Sequence, residues 1–254
     1  MMHLTKTLKW FLMITLLLAG AAAFAPIEAA VDVVAEDPEE YDEFDEYALP
    51  AVSDPFERVN RSIFKFNGGV NLYVFKPISR GYTAVVPGKA REGLGNFFSN
   101  LAFPARFVGC VLQGKFGRSA AETGKFLINS TVGVGGFMKA SDHIPELRVP
   151  EEDIGQAFGV WGLGHGPYLV IPFLGPMSLR DGIGRIAEYP LHPMEWEFAE
   201  SIDWTVRDGS RVLETVNSLP GKLENLDRIT RSAVDPYVAV RNGYIQYRDG
   251  AVKR

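Results

Sequence analysis

Between Asp153 and Arg180 the chain runs for 26 residues, Ile154 to Leu179, without a formal charge. A stretch of that length could cross a bilayer as a helix, which takes roughly 20 apolar residues. Six of its residues, however, are Gly (155, 159, 162, 164, 166, 175) and three are Pro (167, 172, 176). At about 1 kcal/mol per interior Gly and about 3 per interior Pro, an unbroken helix is penalised by upwards of ~10 kcal/mol. Irregular backbone at membrane depth is tolerated only where protein buries it or where it lines a cavity. The segment therefore reads either as a bent apolar wall, greasiest over Tyr168–Leu174, or as a loop buried in an ordinary core.

The other 228 residues divide unevenly by charge. Residues 1–53 contain two lysines and ten acids, which leaves 24 basic and 21 acidic residues, net +3, in 54–254. Such a mild excess is not the concentrated basic patch of a nucleic-acid binder. Residues 1–30 read as an export signal: Lys6 and Lys9, an apolar run from Trp10 to Leu18, then small residues. Residues 31–53 read as an acidic, disordered linker, and 54–254 as one domain. Leu18-Ala19-Gly20 matches the start of a lipoprotein box, but Ala21 stands where the lipid-bearing Cys would be. The one cysteine, Cys110, reads as a small buried hydrophobe.

Helical periodicity dominates the body. Asp54-Pro55-Phe56-Glu57 reads as a helix start with Asp54 as N-cap. Phe56, Val59, Ile63, Phe66, Val70 and Tyr73 then recur three or four apart, an amphipathic stripe. Asn60, Phe64, Asn67 and Asn71 form a second row about a quarter-turn away, at ~100° per residue. Those amides read either as the wet edge of a helix or as a surface for molecules with polar and apolar parts. Lys76-Pro77 reads as the end of this helix, with 81–87 an extended connector. Further helices are expected from about Lys89 to Leu101, past Pro104 to Leu112, over 118–129, and from Arg180 toward Pro190. A later helix, over the recurrence Phe198, Ile202, Val206, Gly209, Leu213 and Val216, is expected to stop at Pro220-Gly221, with a short one after it and a last one from Asp235-Pro236 to about Arg248.

Catalytic signals are weak. His143, His165 and His192 lack metal-ligand spacing with another His, Cys or acid pair, and no GxSxG elbow is present. His165 reads as an exposed or capping loop residue. Arg180-Asp181 reads as an ion pair steadying a loop, or as a phosphate contact. Glu151-Glu152-Asp153 reads as a solvated loop or helix cap. An enzyme, a metal site and a cofactor are not expected.

Several segments, in order over roughly 54–248, resemble one family. GVWGLGHGPYLVIPFLGPMSLRDGIG looks like the signature block of the MlaA (VacJ) family of bacterial outer-membrane lipid-asymmetry proteins. DPFERVNRSIFKFN, GNFFSNLAFP, LQGKFGRSAAETGKFLINSTVGVGGF, EEDIGQAFGVWG and SAVDPYVAVRNGYIQYR are similar to other family segments. Lys139 departs from an expected acidic residue, and Ala21 departs from the family's lipoprotein habit. The resemblance implies an all-α, single compact ring-like helical domain around an amphipathic channel, with the Gly/Pro-rich segment kinked in its wall. It implies an exported protein on the periplasmic-leaflet side of the outer membrane, and Ala21 in the place of the lipid-bearing Cys argues against a conventional lipoprotein. Its implied role is to pass mislocalised outer-leaflet phospholipid to a periplasmic carrier protein, in association with a trimeric porin. Asn60, Phe64, Asn67, Trp161, Tyr168, Phe173, Leu174 and Arg180 are then the candidates for contact with lipid. The competing expectations are an envelope scaffold bound to a porin without moving lipid and, further off, a lipid hydrolase.

Overall fold

The computed structural model describes residues 52–196 and 204–254. The expected export signal, all but the last two residues of the acidic linker, and part of the apolar recurrence around Phe198 and Ile202 lie outside those residues.

Helices carry the body, as expected from the sequence. They are α1 (Glu57–Val70), α2 (Lys76–Val85), α3 (Gly88–Leu101), α4 (Phe103–Leu112), α5 (Phe116–Thr131), α6 (Ile154–Val160), α7 (Leu179–Glu188), α8 (Trp204–Arg231) and α9 (Pro236–Lys253). The uncharged stretch supplies an antiparallel hairpin, β1 (Tyr168–Ile171) and β2 (Gly175–Ser178), paired Tyr168↔Ser178 to Ile171↔Gly175. Its three-residue turn carries Phe173 at φ 65° and leads into Gly175 at φ 85°. Positive φ costs a non-glycine residue about 1–2 kcal/mol, so Phe173 is held there by its surroundings.

Three expectations need correction. First, the opening helix does not end at Lys76-Pro77, and 81–87 is no extended connector. One π-turn, Asn71–Phe75, joins α1 to α2, with the Lys76 amide reaching the Asn71 carbonyl. A proline ring collides with the carbonyl four residues back in an α-helix. The wider turn opens room for it, and Pro77 then occupies the first turn of α2, where no N–H is required. Second, Pro220 does not stop a helix: α8 runs through it. Leu219 and Leu223, on either side of it, are buried against Phe75, and that burial offsets the roughly 3 kcal/mol proline penalty. Third, the Asp54 carboxylate is not an N-cap. It accepts from Asn60 Nδ2 at 2.8 Å and from the Tyr237 hydroxyl, while α1 begins at Glu57.

The main core cluster joins the hairpin to α9. Tyr168, Val170 and Met177 pack on Tyr237, Tyr244 and Ile245. Elsewhere α6 and α7 cross at Gly155 and Gly184, where a Cβ on Gly184 would lie 2.5 Å from the Gly155 nitrogen. Only glycine permits that approach. Cys110 is fully buried, as its apolar surroundings predict.

Candidate functional site

The first helix turns most of its apolar stripe away from the core. Phe56 is 48% exposed and Tyr73 78%, with Val59 and Phe66 also exposed, while Ile63 and Val70 pack inward. The amide row faces inward, Asn60 at 2% and Asn67 at 8% exposure. Both amides are spent on the hairpin. Asn60 accepts from the Val170 N–H at 2.9 Å and donates to the Tyr168 carbonyl at 3.0 Å. Asn67 accepts from the Phe173 N–H at 2.8 Å and donates to the Ile171 carbonyl at 3.0 Å.

The geometry follows from two pitches. Seven helical residues rise about 10.5 Å, at ~1.5 Å each. Three strand residues rise about 10 Å, at ~3.3 Å each. Amides seven apart on one helix face therefore meet backbone groups three apart along a parallel strand. A carboxamide carries the donor and acceptor of a peptide group, so Asn60 stands in for a neighbouring strand beside β1 and Asn67 does the same where β1 passes into its turn.

Beside this wall lies a cavity of about 350 Å³, the size of a small ligand site. It is bounded by α1, the π-turn, the hairpin, α8 and α9, and its sides are mostly apolar: Phe64, Val70, Phe75, Val170, Phe173 and Val240. Gly68 also lines it, on the helix row of Phe64, Asn71 and Phe75, and a Cβ there would meet nothing within 4 Å. Leu72 belongs both to the lining and to the exposed apolar surface at 52% exposure, so cavity and outer face share a wall. One end is polar. Lys76 Nζ lies 2.8 Å from Asp227 Oδ2 and donates to Oδ1 at 3.0 Å.

The eight sequence candidates are distributed as follows. Phe64, Asn67 and Phe173 line the cavity. Phe173 meets Phe66 edge-on with centroids 5.2 Å apart. Asn60, Tyr168 and Leu174 lie in or against the hairpin–α9 core; the Tyr168 ring sits 6.2 Å from Tyr237 and 6.1 Å from Tyr244. Trp161 is 55% exposed, packed on Phe158, with its indole N–H on the Leu112 carbonyl. Arg180 is buried in an ion lattice. Sequence reasoning missed Val70, Phe75, Lys76, Asp227 and Val240. Val70 carried a signal, as a member of the apolar stripe, whereas nothing local marks Asp227 as Lys76's partner.

The lattice centres on Arg248 of α9. Its guanidinium grips Asp153, the α6 N-cap, at 2.5 and 2.9 Å, and Asp181 of α7 at 2.8 and 2.9 Å. Asp181 also receives the Tyr244 hydroxyl at 2.6 Å and Arg180 Nε at 3.0 Å. Burial by itself would raise the Asp181 carboxyl. Arg248 overcomes that, helped by Tyr244 and Arg180, and holds it well below the usual carboxylate range. Asp153 is lowered in the same way, against burial, by Arg248 and Gln156. Arg180-Asp181 is thus the expected ion pair, deep inside. His165 is no bare loop residue, since its Nε2 lies 2.6 Å from Asp249. Glu152 is not solvated either: it is 2% exposed, with Lys115 and Gln113 at 2.9 Å and Arg118 beside it. Among the described residues no three His, Cys, Asp or Glu side chains are grouped to hold a metal. No described helix is long and apolar enough to cross a membrane.

Comparison with known proteins agrees with this architecture. Proteins of Escherichia coli K12 and Shigella flexneri, each named intermembrane phospholipid transport system lipoprotein MlaA, are 34% identical to the chain. Each alignment covers 78% of the chain and 77% of the relative. The Haemophilus influenzae protein of the same name is 27% identical, over 76% of the chain and 77% of its own length. A solved structure concerned with the maintenance of bacterial outer-membrane lipid asymmetry superposes with a TM-score of 0.66 at 30% identity, covering 79% of this chain and 99% of that one. The family model described as MlaA lipoprotein matches residues 52–251, from just ahead of α1 almost to the end of α9. With sequence, fold and extent in agreement, the chain is a member of the MlaA lipoprotein family.

Proposed function

We propose that this chain is the outer-membrane component of a retrograde phospholipid transport system. In this reading it takes phospholipid misplaced in the outer leaflet and passes it to a periplasmic carrier, so maintaining lipid asymmetry. The observation that carries the reading is the apolar cavity set directly behind a helix most of whose apolar stripe is turned outward. Water would oppose that orientation, at about 25 cal/mol per Å² of apolar area left exposed. Hydrocarbon would not. The outward stripe seats the body in the inner face of the outer membrane, which gives attachment a route that needs no lipid-bearing cysteine at Ala21. The same apolar surface offers a trimeric porin a place to pack. Transfer is passive in this scheme, with no chemical step assigned to any residue.

Native mass spectrometry of protein extracted gently from membranes tests the proposal. Wild type should carry intact phospholipid, and Gly68→Leu should lose it, because the new side chain fills the cavity. That substitution also raises helix propensity by about 1 kcal/mol, so lost lipid cannot be blamed on lost folding. A folded, membrane-associated wild type without lipid would sink the transport reading in favour of a porin-bound scaffold. Lysophospholipid and fatty acid in place of intact lipid would point to hydrolysis.

A further inference from the structure

The Lys76–Asp227 pair differs from the similarly exposed Arg61–Asp235 and Arg61–Glu57 pairs in lining the cavity. It lines the mouth of the apolar cavity, and its side chains keep 28% and 39% of their exposure. An ion pair so open to solvent adds only about 0–1 kcal/mol to stability. Its two charges can therefore be redirected to a ligand at little cost. The Asn67 amide on the cavity wall cannot serve a headgroup in the same way, since it is committed at both ends to Ile171 and Phe173, and Asn71, which also lines the cavity, carries no charge. What the cavity offers an amphiphile is thus an apolar floor, a cation and an anion side by side, and a wall at Leu72 shared with the apolar outer surface.

We propose that Lys76 and Asp227 form a two-ended receptor for a zwitterionic phosphoester headgroup. Lys76 takes the phosphate and Asp227 the ammonium, while one acyl chain occupies the cavity behind them. This deepens the transport reading and rests on it: the pair exchanges its internal ion pair for two external ones when lipid enters. A headgroup with phosphate and no ammonium would satisfy Lys76 but leave Asp227 facing a second anion. The site therefore prefers phosphatidylethanolamine to phosphatidylglycerol.

The experiment equilibrates the full-length protein with vesicles holding equal amounts of the two lipids and reads the bound ratio by mass spectrometry. Wild type should be enriched in phosphatidylethanolamine. Asp227→Asn should erase that enrichment, a shift of roughly tenfold, the size of one charge-assisted hydrogen bond. Lys76→Gln should lower total bound lipid of both kinds. The double swap Lys76→Asp with Asp227→Lys keeps an ion pair but exchanges the places of cation and anion. A merely structural pair would be rescued by it; the receptor would not, because the phosphate lies nearer the acyl chains than the ammonium does. An unchanged ratio in Asp227→Asn, or a wild-type ratio in the double swap, overturns the inference while leaving transport standing. Displacement of lipid by inorganic phosphate, which has neither ammonium nor acyl chain, would also overturn it, by showing a free-anion site. Wild type that binds no phospholipid removes both readings together.

Discussion

The long last helix α9 is anchored at its two ends by different chemistry. Near its start, Tyr237 and Val240 back the hairpin, whose exposed strand edge is closed by two neutral carboxamides from α1. Near its end, the buried Arg248 joins the buried Asp181 of α7 to the partly exposed Asp153 that caps α6. The amide side borders a cavity, and the charged side borders none of it. A carboxamide on a peptide edge is satisfied by its own partners and brings no net charge to an apolar space. A carboxylate there would need a counter-ion, and its field would oppose hydrocarbon. The molecule keeps its Arg248 lattice away from the cavity and lines the hairpin wall of the cavity with a neutral amide, leaving charge at the cavity only in the partly exposed Lys76–Asp227 pair.

The largest effect should come from breaking the charged side. Arg248→Met leaves Asp153 without its cation and Asp181 with Arg180 alone, and removing one partner of a buried ion network costs about 3–5 kcal/mol. Urea denaturation would measure it. A loss below about 1 kcal/mol would mean the lattice is not the anchor described here. The same network sets a pH dependence. The folded Asp181 carboxyl titrates below its unfolded value, so the stability it contributes is complete above the ordinary carboxylate range, about pH 4, and is lost as pH falls through the folded pKa. Amides of α6 and α7 should accordingly lose hydrogen-exchange protection on acidification before those of β1 do, because Asn60 and Asn67 do not titrate.

Asn67→Asp turns the comparison around and should have the next largest effect. The new side chain, when ionised, cannot donate to the Ile171 carbonyl 3.0 Å away, and it stands at an apolar cavity. Its folded pKa should rise above the unfolded value. By linkage, the variant should be closest to wild type in acid and lose stability as pH rises, the opposite sign to the Arg248 lattice. An unmet buried acceptor together with a desolvated charge places the loss near neutral pH at about 2–3 kcal/mol. Equal stability at pH 4 and pH 7 would show that water reaches this edge and that the amide wall is not dry.

Much of this was legible in the sequence, and the gaps have physical causes. The α1 stripe was readable from its spacing, but periodicity reports which side of a helix is apolar, not which side is inside. Asn60 and Asn67 were read as a row, at a wet edge or facing amphiphilic molecules, whereas both are buried on the hairpin backbone. Their partners lie more than 100 residues away in the hairpin, beyond the reach of any local rule. The hairpin itself was obscured because its strands are four residues long and its Gly and Pro content reads as irregular backbone. Pro77 and Pro220 were read by a helix-breaking rule that tertiary burial and a π-turn override. The start of α9 at Asp235-Pro236 and the Arg180-Asp181 pair, by contrast, depend on neighbours in sequence and were read directly.

The smallest expected effect separates the architecture of the wall from its contact with lipid. Phe173→Gly removes a ring from the cavity side and ends the edge-on contact with Phe66. An aromatic pair contributes about 0.5–1.5 kcal/mol beyond its buried area. Against this, glycine adopts the positive φ of position 173 freely, which returns about 1–2 kcal/mol of backbone strain. The strain returned offsets the aromatic contact, leaving the area of a half-buried ring as the net loss, and the Asn67 bond to the backbone N–H is kept. The thermal midpoint should therefore move by only a few degrees, while bound lipid falls because the cavity loses part of its apolar wall. If bound lipid stays at the wild-type level, Phe173 belongs with the amides as part of the frame. If it falls while the fold holds, the tip of the hairpin is where that frame meets what the cavity carries.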